Sequence, residues 1–337
     1  MKDSGFHVVE TRRRWLAAGL AWPALAWTGA LRAQAKPPVV IGWLDTTSPD
    51  GSRPFRNAFN EGMAALGWKL GTQYVLEERH ADARVERLPA LAQELAAKQP
   101  AVIVAWPSAS VSAAAAAAPT TPAVLVIGDP LVTGLVTSLA RPGGLITGLS
   151  NVSGDTTLKV IELLVEALPK LQRIGFLADS STGPSHGSTV VAQARRAAER
   201  LRVEAVIADM AKPEDIEPAM AQLAKGKAQA LVILPSVWFS AHFSKIIQLA
   251  LARRWPVVGI SPGIPSQGGL FRFGPDNLAL ARRAAHYVDR ILKGAKPGDL
   301  PIEQPTTFEL ILNMKTARAL GIAIPPSMRL RATEVIE

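Results

Sequence analysis

Short runs of apolar residues recur along the chain, each closed by a small or polar turn and followed by a longer segment with helical periodicity. Residues 39–44, 102–105, 123–127, 173–178, 231–234 and 257–260 are of this kind. A brief, uniformly apolar, β-branched run bounded by turn residues reads as a strand buried on both faces, as in a parallel sheet covered by helices. Residues 74–78, 203–208 and 308–312 are further predicted strands, and 146–149 and 269–273 extended segments. The pattern predicts helices over about 53–66, 85–98, 113–118, 156–168, 188–201, 214–224, 241–253, 278–293 and 315–321. Strand and helix alternate throughout, so the fold class is α/β.

The wording repeats. Val102, Ile103, Val104 and Ala105 run into Trp106, Pro107 and Ser108, and Leu231, Val232, Ile233 and Leu234 run into Pro235, Ser236, Val237 and Trp238. Ile41, Gly42, Trp43 and Leu44 return as Ile174, Gly175, Phe176 and Leu177, and the run after Pro122 returns after Pro256. The offset stays near about 130 residues, a domain-sized period and not the shorter one of a solenoid. Unrelated doubly wound domains share some of this wording, and either origin implies two similar lobes, each a Rossmann-like parallel sheet. The expected division is 36–150 plus 274–303 for the first lobe and 151–273 for the second, joined by a hinge. The strand and helix of 304–337 stay unassigned.

Composition fits two cores. At 337 residues the chain exceeds one ordinary core, and 48% hydrophobic with 6% aromatic residues suits sheets under small-residue helices. The formal charge is +9, but its basic residues are spread over alanine-rich helices and form no stripe with interleaved aromatics, so no nucleic-acid partner is expected. Near the amino end, Thr11, Arg12, Arg13, Arg14, Trp15 and Leu16 resemble a twin-arginine signature. An apolar stretch over 16–31 and Ala33, Gln34, Ala35 as an A-x-A cleavage site complete an export signal over 1–35. General secretion is the other route. Cysteine is absent, which removes both disulfides and a lipoprotein anchor and points to a soluble periplasmic protein.

Gly183, Pro184, Ser185, His186 and Gly187 match G-x-S-x-G, the mark of a serine hydrolase. The nucleophile of that motif sits directly off its strand, whereas Asp179 to Thr182 intervene here, and no acid-histidine partner is evident. The motifs H-E-x-x-H, G-x-G-x-x-G and the P-loop are missing, and five scattered histidines suggest no metal site, no cofactor and no catalytic residue.

Other stretches carry a family likeness. Arg87, Leu88, Pro89, Ala90 and Leu91 through to Val104, Asp129 with Pro130, 141–144 with Thr147 and Gly148, and 291–294 are part of it. The tail from Asn313, Lys315, Thr316 and Ala317 through Leu320, Gly321, Pro325, Pro326 and Ser327 completes it. Over almost its whole length the chain resembles the periplasmic substrate-binding proteins of ABC importers, in the branch that includes aromatic amino acid binders. Leu145 stands where asparagine is usual and Thr333 where aspartate is usual. The loops 235–238 and 261–265 depart further, which leaves the ligand open.

The resemblance implies a clamshell closing on a small solute, with about three crossovers between lobes, and an ABC permease of the inner membrane as partner. A monomer is expected. Ligands of open α/β sheets lie beyond the carboxyl ends of the strands, where helix amino termini favour a carboxylate. Ser108, Ala109 and Ser110, with Ser180 and Ser181, are candidates for carboxylate capture, and Asp129 for an ammonium. Trp43, Trp106 and Trp238 would offer indole faces, and Thr46, Ser236 and Pro262 complete the ligand-binding set. A sensory domain docking on a membrane signalling partner is the alternative use of the same clamshell.

Overall fold

A strand that is apolar on both faces has to be covered on both, and the first sheet meets that demand along the chain. The computed structural model describes residues 37–131, 133–151, 153–179, 184–236, 239 and 241–337. Its first elements are β1 (Val39–Asp45), α1 (Pro49–Ala65), β2 (Tyr74–His80), α2 (Leu88–Ala96), β3 (Val102–Trp106), α3 (Ser108–Ala117), β4 (Ala123–Leu125) and β5 (Ile146–Gly148). These strands form an all-parallel sheet in the order β2-β1-β3-β4-β5. Side-chain alternation along β3 sends Val102, Val104 and Trp106 to one face, packed with Phe59 and Met63 of α1, and Ile103 and Ala105 to the other, packed with Leu91 and Leu95 of α2.

The second lobe follows with α4 (Ser153–Ala167), β6 (Arg173–Asp179), α5 (Pro184–Arg200), β7 (Glu204–Met210), α6 (Ile216–Lys225), β8 (Ala230–Ile233), α7 (Phe243–Ala252), β9 (Val257–Gly259), α8 (Gly263–Ser266) and β10 (Phe271–Pro275). The chain then gives α9 (Asn277–Leu292), β11 (Phe308–Asn313), α10 (Met314–Leu320), α11 (Pro326–Arg331) and β12 (Glu334–Ile336). The second sheet has the order β12-β11-β10-β9-β8-β6-β7. The tail left open by sequence therefore supplies two strands to this sheet. The strands are mostly parallel, as expected, and β11 with its parallel neighbour β12 runs antiparallel to β10. The chain leaves β10 for the first lobe and re-enters from that same end of the sheet, so the returning strand has to point the other way.

Three passages join the lobes, after β5, between β10 and α9, and before β11. They bond to one another: Ser150 N–H donates to the Glu303 carbonyl over 2.8 Å, Glu303 N–H to Gly148 over 3.0 Å, and Asp276 N–H to Thr307 over 3.0 Å. Arg283 grips the Glu303 carboxylate through two N–H groups at 2.9 and 2.7 Å, which holds that carboxyl below the ordinary glutamate range despite its partial burial. Arg272, buried on β10, reaches Glu309 of β11 at 2.9 Å. Among the described residues no helix is long and apolar enough to cross a membrane. The signal proposed for 1–35 lies outside the described residues.

Helix α9 returns to the first sheet and lies on α1 so closely that Gly62 has no room for a side chain. A Cβ there would run into the Arg282 carbonyl oxygen and come within 2.8 Å of Ala285 Cβ. Helix propensity alone would make Gly62→Ala stabilising by about 1 kcal/mol. The obstacle is backbone, which cannot swing aside, so the variant is expected to be less stable by about 1 to 3 kcal/mol. Urea unfolding of the purified protein checks this; a midpoint at or above that of the wild type contradicts it.

Candidate functional site

The carboxyl edge of the first sheet gathers its polar residues in one row. The register sets Asp45 beside His80 of β2 on one side and beside Trp106 of β3 on the other. Asp45 is fully buried and its carboxylate is saturated. Thr47 gives Oδ1 its backbone N–H over 2.8 Å and its hydroxyl over 2.7 Å. The Trp43 indole and the Ser52 hydroxyl donate to Oδ2 over 2.7 and 2.5 Å, and His80 Nδ1 lies 3.1 Å from the same oxygen. This knot sets the β1–α1 turn, since Ser52 belongs to the first helical turns and Ser48, the helix cap, accepts from Gly51 N–H.

A second charge layer stands outside the first. His80 Nε2 lies 3.2 Å from Glu78 and 3.3 Å from Arg56 of α1, and Arg56 also pairs with Glu78. Burial pulls the His80 pKa down, but its bonds and charges with Asp45 and Glu78 outweigh that and leave it above its ordinary 6.5. Burial likewise pushes Asp45 upward, and the bonds from His80, Ser52 and Thr47 bring it below the usual aspartate value.

Beside this knot, the turn from β3 into α3 is left open. Ser108 is the first residue of the helix and not its cap, which is Pro107, a residue without a side-chain acceptor. Neither serine of this turn caps the helix: Ser110 Oγ donates to the Trp106 carbonyl over 3.0 Å, and Ser108 Oγ is buried with no protein partner. The first N–H groups of any helix lack intrahelical acceptors, and no cap side chain fills that role here. Trp106 Nε1 is the other buried group without a partner at this turn. Phe55 of α1 leans on the Trp106 ring with centroids 4.2 Å apart and planes 55° apart. Gly128, at φ +153°, closes the far side, where any Cβ would collide with Ser108 Oγ.

The remaining first-lobe candidates divide. Asp129 follows Gly128, half-buried, and accepts from Leu131 N–H at 3.2 Å. Ala109 is exposed at the second position of α3. Thr46 is buried, and its carbonyl accepts from Ala83 N–H over 2.7 Å. The offer of a Trp43 indole face to a ligand needs correction. The ring is fully buried against Phe59 and its N–H is engaged by Asp45 and Ser52, so it is core that anchors the turn.

In the second lobe β6 also ends on an aspartate. Asp179 is buried and accepts from Ser236 Oγ over 2.6 Å, which lies just beyond β8. A shallow depression at the same edge is lined by Thr157, Leu234, Pro235 and Ile260. Pro262 is exposed ahead of α8. Ser180, Ser181 and Trp238 lie outside the described residues. Ser185 falls in the first turn of α5. Sequence reasoning missed Asp45, Phe55, Gly128 and Asp179. An aspartate closing the apolar run of β1 and again that of β6 was a signal that could have found the two acids.

Residues 41–336 match the family model described as ABC transporter substrate binding protein. The chain is 25% identical over 269 residues, 79% of its length and 76% of the relative's, to a protein named tyrosine-binding protein from Clostridioides difficile strain R20291. Among solved structures, a Streptococcus pneumonia ABC domain in complex with L-Trp superposes with a TM-score of 0.81 at 23% identity, covering 89% of this chain and 100% of that one. A Vibrio cholerae conserved domain protein also gives a TM-score of 0.81 at 24% identity over 88% and 99%. Both likenesses are of fold, in which the mostly parallel strands form two sheets.

The His80 geometry carries a pH signature. A folded-state pKa above the unfolded one makes His80 stabilising below about pH 6.5, and that contribution is lost as pH rises through the raised value. Unfolding free energy is expected to fall across the neutral range, and His80→Gln to flatten that fall. Denaturation curves at several pH values decide it; a variant with the wild-type slope contradicts the assignment.

Proposed function

The chain belongs to the ABC transporter substrate-binding protein family, whose members bind solutes and are not enzymes, and from that premise we propose that it is the periplasmic receptor of an ABC importer for an aromatic amino acid. The ligand lies between the carboxyl edges of the two sheets. Ser108 and Ala109 at the start of α3 take its carboxylate, and Asp129 takes its ammonium. Ser180, Ser181, Ser236, Trp238 and Pro262 meet it from the second lobe, with Thr46 behind the first-lobe wall. Closure about the three passages stabilises the occupied state only through contacts that both lobes make at once. The closed form delivers its ligand to an inner-membrane permease. Residues 1–35 serve as a cleaved, twin-arginine-like export signal, and the mature protein acts as a soluble monomer.

The observation that carries this reading is the unfilled start of α3, where a buried hydroxyl without a protein partner joins a helix end without a cap side chain. Such an end attracts anions through its free N–H groups and the helix dipole. The names of the relatives, one tyrosine-binding and one holding L-Trp, support the ligand class.

The mature protein is expected to show a thermal upshift with L-tryptophan or L-tyrosine that is larger than with other amino acids. Asp129→Ala should weaken L-tryptophan binding by about tenfold or more, the worth of a charge-assisted hydrogen bond. It should leave indole-3-propionate, which lacks the ammonium, nearly unaffected. Titration calorimetry with both compounds tests this, and equal losses for the two remove the ion-pair assignment.

A further inference from the structure

The Trp106 side chain is poorly placed to stack. Phe55 leans on its ring from α1, and the rest of it packs in the first-lobe core with Val104, Val124 and Phe59, leaving 8% of the residue exposed. What the ring retains is chemical and not steric: an indole N–H, buried, at the carboxyl end of β3, with no protein acceptor. Its neighbour Trp43 shows the ordinary fate of such a group, since that indole N–H is shared between Asp45 and Ser52. A buried donor without an acceptor is destabilising, so a core position would favour phenylalanine or leucine over tryptophan.

The chemistry of the acceptor follows from the donors around it. Ser108 Oγ, two residues further on, also lacks a protein partner, and the cap position between them is a proline that offers no side-chain acceptor. The indole can only donate and the hydroxyl can donate or accept, so one group rich in acceptor oxygens satisfies both. In tryptophan the ammonium and the indole nitrogen are donors, so its carboxylate holds its only oxygen acceptors.

We infer that Trp106 is a ligand-contacting residue that acts through its indole N–H, which donates to a carboxylate oxygen of the bound amino acid, while Phe55 covers the ring face. This rests on the amino-acid reading above and deepens it. It replaces stacking, the role expected of Trp106 from sequence, by hydrogen bonding.

Trp106→Phe keeps an aromatic ring at the end of β3 and removes the donor. The ligand-free variant is expected to unfold within a few degrees of the wild type, since no hydrogen bond is lost on substitution. Its dissociation constant for L-tryptophan should rise about tenfold or more. A purely structural role predicts the reverse, a clear loss of thermal midpoint with affinity retained. A second readout does not depend on how the variant folds: in wild-type protein labelled with nitrogen-15, one indole N–H resonance, absent from Trp106→Phe, should move downfield on titration with L-tryptophan. An unchanged dissociation constant, or an indole resonance that stays in place while the ligand binds, overturns the inference. If the wild-type protein binds no aromatic amino acid in calorimetry, the parent reading fails and takes this one with it.

Discussion

Parallel strands that are apolar on both faces admit no water along their length, so every polar requirement of the chain is driven to the strand ends. In the first sheet, Val102, Val104, Ile103 and Ala105 are all buried, on alternate faces, beneath different helices. The edge beyond them is where Asp45, His80, Trp106 and Ser108 collect. The edge then sorts its own groups. Asp45 takes every donor in reach and becomes scaffold, whereas Trp106 and Ser108 find no acceptor and are left for something else. Burial decides the site twice, first by expelling polar groups from the strands and then by leaving some of them unmet.

Much of the fold was legible because its signal is local. The apolar run at 102–105 marked β3, the run at 231–234 marked β8, and the repeat of their sequels marked two lobes with ligand-facing edges. What escaped was set by distant partners. Nothing near 308–313 says which sheet it joins, because the answer lies in pairing with β10 after an excursion through α9. Helix α3 starts five residues ahead of the alanine run, where Ser108, Ser110, Val111 and Ser112 are weak helix formers and the buried Ser108, Ser110 and Val111 hold the turn by packing.

The site was legible to the level of the loop and not of the atom. Sequence brought Trp43 and Trp106 forward together as indoles near strand ends. One is locked into a buried knot and the other is left with a free N–H, a difference produced by Asp45 two residues along the same strand and Ser52 on the far side of the turn. Phe55 was invisible for the same reason, because an exposed-looking residue of α1 meets β3 only once the helix is laid across the sheet.

The order of the strands also bears on how the molecule is made. The first sheet lacks α9 until residue 292 has been synthesised, and the second lacks β11 until residue 313. Neither lobe can be completed as the ribosome advances, so the polypeptide emerges nearly whole before either core can seal. Non-local pairing of that kind slows folding. A nascent chain released early would carry two unfinished sheets, each with an apolar margin open to self-association.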